Sequence, residues 1–124
     1  YRSHDVIVLP SINELEAFGM VLLEGMSAGL IPVCSDLPGL GDVVGETGRV
    51  VPRRDPDALR GALASLAAQP AERARLSKAA RARAATFTWE RSVADYEAVL
   101  ATAVLSNADR GRSISANPTT RRQR

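Results

Sequence analysis

Two glutamates, Glu16 and Glu24, frame a glycine, Gly19, downstream of a short apolar run, Val6-Ile7-Val8-Leu9, that closes on Pro10-Ser11. A strand, a loop and a glycine-led helix are how open α/β sheets build anion sites, because a helix N-terminus offers unpaired N–H groups and a partial positive charge. A side chain at Gly19 would keep a pyrophosphate away from the N–H groups of Gly19, Met20 and Val21. The two carboxylates cannot bind that phosphate and stay free to hold hydroxyls on either side of it. A diphosphate flanked by hydroxyl-bearing groups is a sugar nucleotide.

Glu24 is the only charge between Ala17 and Cys34, and Val21, Leu22, Leu23 and Met26 surround it. A helix apolar on most of its circumference is expected to be buried, and a buried carboxylate without partners is costly. A ribose diol supplies two adjacent donors that suit the two carboxylate oxygens. The competing reading places Glu24 on a narrow solvent stripe or against an arginine. Glu16 lies before the turn, on the sugar side of the phosphates, and competes with a plain solvated loop carboxylate. Glu14, two residues earlier, competes with Glu16 for that role and reads in preference as merely solvated. Phe18 serves equally as a packing anchor or a ligand contact, and Ser11 caps or braces the loop in preference to touching the nucleotide.

The elements that must position these residues alternate. A strand is expected at 5–9, a helix at 19–29, a second strand at 31–35 and a turn at Leu37-Pro38-Gly39. A single helical turn at 41–45 and a third strand at 48–52 follow. Asp55-Pro56 is a cap followed by a first-turn proline and opens a helix over 56–68. Gln69-Pro70 starts another to about 85. Thr88 caps a last helix from Trp89 to Leu105, with Val93, Tyr96, Val99, Leu100 and Val104 at helical spacing. Strand–helix alternation predicts a parallel sheet. The helix over 70–85 carries Arg73, Arg75, Lys78, Arg81 and Arg83 against Glu72, and its apolar side is mostly alanine. That pattern reads as a solvated basic face in preference to a membrane surface.

Composition adds bounds. The 124 residues make one domain or less. No apolar run approaches the ~20 residues that span a bilayer, and no signal peptide is expected. Cys34, the only cysteine, sits in the second strand and reads as a small core residue, which argues against a disulfide framework and a metal site. His4 reads as structural or exposed. Residues 106–124 carry five arginines and one aspartate, whereas residues 1–105 carry 11 basic against 13 acidic side chains. The basic total therefore comes from a tail, expected to be disordered and solvated. No aromatics interleave with its charges, so a nucleic-acid partner is not expected.

The stretch PSINELEAFGMVLLEGMSAGLIPVCSD, from Pro10 to Asp36, resembles the donor-binding segment of GT-B glycosyltransferases of the family 4 (group 1) type. Glu16 and Glu24 fall on the two glutamates of the E-x7-E signature, and Phe18-Gly19 on its aromatic–glycine pair. Gly29, Pro32 and Val33 fall on the stretch leading into the next strand. The likeness continues more weakly through 47–52, Asp55-Pro56 and 87–89, so it covers roughly residues 1–100. Gly25 departs from the alanine usual in the family, and a glycine in a helix costs ~1 kcal/mol.

The resemblance implies an α/β fold: a Rossmann-like parallel half-domain over 1–105, the second half of a GT-B C-terminal domain, with the tail at 106–124. It implies transfer of a sugar from a nucleoside diphosphate sugar to an acceptor hydroxyl with retention, without metal or other cofactor. Glu16 would be the catalytic residue, facing the donor sugar. Glu24 would hold the ribose, with Phe18, Gly19, Met20, Val21 and Ser11 completing the nucleotide-sugar site. The acceptor domain and the basic pair that neutralises the departing pyrophosphate would lie outside this chain, and Arg49, Arg53 and Arg54 do not match that pair. The strand at 5–9 would then have an unpaired edge. The expected location is the cytoplasm, with any peripheral contact at the inner face of the membrane. The alternative is a non-catalytic nucleotide-binding or vestigial half-domain, inactive in isolation. A dinucleotide site is disfavoured because no G-x-G-x-x-G turn follows a strand.

Overall fold

The computed structural model describes residues 1, 3–13 and 18–115; in the last helix the side chains are described as far as Val104. Three strands, β1 (Val6–Leu9), β2 (Ile31–Ser35) and β3 (Arg49–Val51), form a parallel sheet in the order β1-β2-β3. The register sets Val6 against Ile31 and Leu9 against Cys34, then Val33 against Arg49 and Ser35 against Val51. All five residues of β2 are buried, as a central strand covered on both faces requires. Among the described residues β1 pairs only with β2, and Val8 on it is 37% exposed.

Parallel neighbours need crossovers. Helix α1 (Met20–Ser27) connects β1 to β2; α2 (Leu40–Val44) and a 3-10 turn at Gly45–Thr47 connect β2 to β3. Helices α3 (Pro56–Ala68) and α4 (Pro70–Ala84) follow β3. Strand alternation splits the core into two layers. On one face Ile7, Leu9 and Cys34 pack with Leu22 and Met26 of α1, Leu40, Val43 and Val44 of α2, and Ala80 and Ala84 of α4. On the other, Val6, Ile31 and Val33 pack with Leu59, Ala62, Leu63 and Leu66 of α3 and with Leu76 of α4. Burial pushes the Cys34 thiol up to about 11, in keeping with a core cysteine.

The basic helix α4 is less solvated than its composition suggested. Arg73 donates to the carbonyls of Leu66 and Ala67 at the end of α3, both at 2.7 Å. Arg81 Nη2 donates to Ala28 O at the end of α1 at 3.0 Å. Arg83 Nε donates to Val43 O at 2.7 Å, and its Nη2 donates to Asp42 O. Three arginines thus satisfy the orphan carbonyls that close three other helices, where a cation also opposes the helix dipole. Ser77 adds a 2.6 Å bond to Gly29 O. Glu72 ties Arg75 (2.7 Å) to Arg49 of β3 (3.3 Å). Sequence shows the charges of α4 but not the long-range carbonyls they meet.

Residues from Phe87 onward form a separate compact unit. Thr88 Oγ1 accepts from Arg91 N at 3.2 Å, so Thr88 is the expected N-cap of α5 (Trp89–Ser115). Its apolar stripe of Trp89, Val93, Tyr96, Leu100 and Val104 is exposed along its length. The helix runs ten residues beyond the expected end at Leu105, into the segment read as a disordered tail. The helical backbone continues past the apolar stripe, and alanine and arginine, both good helix formers, favour it there. Residues 116–124 lie outside the described residues.

Candidate functional site

The first turn of α1 stands at the carboxyl end of β1, where open parallel sheets place ligands. Gly19 caps it with φ 68 and ψ 50, the left-handed region that glycine enters at no steric cost. Its conformational role was not the one the spacing suggested. A Cβ on Gly19 would sit 2.7 Å from Leu40 Cδ2, 3.2 Å from Leu9 Cδ2 and 3.3 Å from Leu22 Cδ1. It would point into the core, not toward an approaching phosphate. Glycine is required because the backbone is left-handed and because Leu40 closes the space beneath it.

Gly19 supplies no side-chain cap, and Gly19 O accepts from Leu22 N at 2.8 Å. Met20 and Val21 are 61% and 37% exposed, and no side chain among the described residues caps the first turn. A helix N-terminus carries the positive end of the dipole, which favours an anion.

Glu24 corrects the burial argument: it is exposed. Helix α1 buries one side, Leu22, Gly25 and Met26, against the sheet and leaves Met20, Val21, Glu24 and Ser27 outward. An apolar composition made the helix look buried all round, but only the spacing of three and four residues is covered. Glu24 therefore lies on the same face as the open first turn, about 6 Å along the axis from Met20 at 1.5 Å per residue. Glu24 Oε2 accepts a 2.9 Å hydrogen bond from the Tyr1 hydroxyl. Nothing in the sequence pattern signals this contact across 23 positions.

Gly25, beside it, has a packing reason. A Cβ there would lie 2.7 Å from Ile7 Cδ1 and 2.8 Å from Ile7 Cγ2. The missing methyl lets α1 lie flush on β1. Phe18 is 42% exposed beside the turn, and Ser11 is half-buried with no hydrogen bond among the described residues, so its expected bracing is not visible. Glu14 and Glu16 lie outside the described residues, so the structure brings together Gly19, Met20, Val21, Phe18 and Glu24 but not the proposed catalytic carboxylate. No group of three or more potential metal-ligating side chains occurs among the described residues.

A cleft of about 200 Å³ also opens at the carboxyl edge of the sheet, lined by Pro10, Ile12, Ser35, Val51, Arg54 and Leu59 among others. It adjoins the loop leading to Gly19 but contains none of Gly19, Met20, Val21 or Glu24. Arg54 on its rim adopts φ 59, a left-handed backbone uncommon for arginine. Arg53 N and Nε both meet Asp36 Oδ1, at 2.8 and 3.3 Å, which pins this loop over the end of β2. No helix among the described residues is long and apolar enough to cross a membrane.

Known proteins match this arrangement. The family model described as glycosyl transferases group 1 matches residues 1–83. The D-inositol 3-phosphate glycosyltransferase of Saccharomonospora viridis is 39% identical over 94 residues, covering 74% of this chain and 21% of that protein. The protein of the same name from Mycolicibacterium vanbaalenii is 41% identical over 96 residues, covering 75% and 20%. The solved structure of a sucrose-phosphate synthase from Thermosynechococcus elongatus superimposes with a TM-score of 0.69 at 32% identity, over 84% of this chain and 26% of that one. The chain thus spans about a fifth of the length of the curated relatives. The match of the family model over two thirds of the residues, together with the parallel sheet and its glycine-led helix, shows that the chain belongs to the glycosyl transferases group 1 family.

Proposed function

We propose that this chain is the donor-binding part of an enzyme that moves a sugar from a nucleoside diphosphate sugar to an acceptor hydroxyl with retention. The observation that carries the reading is the α1 face: a helix N-terminus at the end of β1 with no side-chain cap among the described residues, and Glu24 one turn further along the same exposed side. The diphosphate sits on the N–H groups of Met20 and Val21, where the helix terminus stabilises the charge that develops as the sugar leaves. Glu24 accepts from the ribose hydroxyls. Glu16 faces the donor sugar and stabilises charge developing at its anomeric carbon. No metal is called for in this scheme, and the acceptor is bound by a part of the enzyme that this chain does not contain. The relatives support the transfer class; retention, the nucleotide donor and the cytoplasmic setting are part of the proposal.

The test is binding. Nucleoside diphosphates should raise the melting temperature of the chain, and NAD should not. Glu24→Ala should weaken nucleoside diphosphate affinity by about 10- to 100-fold, the effect of losing hydrogen bonds to a charged acceptor. In the complete enzyme Glu16→Ala should mainly lower turnover. Equal loss of affinity in both variants would overturn this division of roles. A non-catalytic nucleotide-binding role predicts the same binding, and is separated from the first reading by the absence of transfer in the longest natural form of the protein.

A further inference from the structure

The Tyr1–Glu24 contact lies outside everything the donor scheme needs, yet it falls on the carboxylate at its centre. Tyr1 precedes β1, in a turn closed by the bond from His4 N to Tyr1 O at 3.1 Å. The parallel crossover brings α1 back along β1, so the middle of the helix meets the segment that enters the strand. There the Tyr1 hydroxyl donates to Glu24 Oε2 at 2.9 Å. Both residues are exposed, so the bond adds little to folding stability in water. Its effect is on geometry. A glutamate on an open helix face samples many rotamers, and ordering it on binding costs affinity. The tyrosine bond fixes one oxygen and leaves Oε1 without a partner among the described residues. An ionised carboxylate accepts about four hydrogen bonds in all, so Oε2 keeps a lone pair for a second donor.

We propose that Tyr1 is a positioning residue of the donor site, holding the Glu24 carboxylate in the orientation that receives the two hydroxyls of a ribose diol. The inference rests on the reading that Glu24 binds ribose. It names the ligand feature that Tyr1 acts on, the vicinal diol, and predicts that Tyr1 has no effect on a nucleotide lacking it. The tyrosine hydroxyl is held above its ordinary pKa, first by the hydrogen bond to Glu24, then by burial and by the carboxylate charge. It therefore remains a donor throughout the neutral range.

The experiment compares the chain with its Tyr1→Phe and Glu24→Ala variants, titrated calorimetrically with a ribonucleoside diphosphate and with its 2′,3′-dideoxy counterpart. Tyr1→Phe should weaken the ribonucleotide roughly three- to ten-fold, leave the dideoxy nucleotide unchanged and leave the melting temperature unchanged. Glu24→Ala should erase the preference for the ribonucleotide. If Glu24→Ala erases it and Tyr1→Phe does not reduce it, the positioning role is overturned while the Glu24 reading stands. If Glu24→Ala leaves the preference intact, or the unsubstituted chain binds neither nucleotide, the donor-site reading fails and the inference with it. A ligand-free readout tests the contact itself. In a Tyr96→Phe background Tyr1 is the one remaining tyrosine, and its tyrosinate absorbance should appear above the ordinary value. Glu24→Gln should bring that titration down, and a titration that Glu24→Gln leaves unmoved would overturn the proposal.

Discussion

Replacing Gly25 by alanine sets two effects of opposite sign against each other. On propensity alone the change stabilises α1 by ~1 kcal/mol. In the structure the new methyl would lie 2.7 Å from Ile7 Cδ1, 2.8 Å from Cγ2 and 3.1 Å from Cβ. Carbon atoms pack best at roughly 3.5–4.0 Å, so α1 and β1 must separate by roughly 0.8 Å. Rotation of Ile7 moves Cδ1 aside, but Cβ rides on the strand and a branched side chain has few rotamers to choose from. Overpacking of this kind costs ~1–3 kcal/mol. The net expectation is destabilisation of about 1 kcal/mol. In urea unfolding followed by helix circular dichroism, the midpoint should fall by roughly 0.3–1 M. Placed in an Ile7→Ala background, where only the 3.1 Å contact remains, the same substitution should become neutral or stabilising by up to ~1 kcal/mol. The two sites should therefore couple by ~1 kcal/mol or more. A higher midpoint for Gly25→Ala alone would refute the close approach of α1 to β1.

Two further outcomes are expected from the packing around α3 and α4. Asp55 Oδ1 accepts from Ala58 N at 2.8 Å, so Asp55→Ala should remove the cap of α3 and lower stability by ~1 kcal/mol in the same unfolding assay. The Arg75 hydrogen bond, helped by Arg49, holds the Glu72 carboxyl down to about 2 against burial. A carboxylate with a depressed folded pKa stabilises fully above its unfolded value near 4.5 and loses that contribution as pH falls toward about 2. Glu72→Gln should thus lower stability at pH 7 more than at pH 2.5, and a variant equally destabilised at both would contradict the Arg75–Glu72–Arg49 link.

Where local chemistry decides an element, sequence was enough to place it. Asp55-Pro56 marked α3 to the residue, because a cap and a first-turn proline act within four positions. The buried run Ile31–Ser35 marked β2, and Thr88 marked the start of α5. The glycine-led turn at Gly19 was legible as a turn, but the reason for its glycine was not, since Leu40 lies 21 positions away. The exposure of Glu24 was misjudged because composition counts apolar residues without saying which neighbours exist to cover them. The partners of Arg73, Arg81 and Arg83 were hidden for the same reason: long cations reach carbonyls brought near only by the tertiary fold. The role proposed for Glu16, a residue outside those described, comes from family resemblance alone.

The central claim is that a nucleoside diphosphate lies on the exposed face of α1. Amide-resolved NMR titration of the isotope-labelled chain with a nucleoside diphosphate tests it at the level of single residues. The account predicts the largest shifts at Gly19, Met20, Val21 and Glu24, with the sheet-edge cleft around Arg54 and Leu59 little changed. Shifts centred on that cleft, or none at saturating nucleotide, would contradict it.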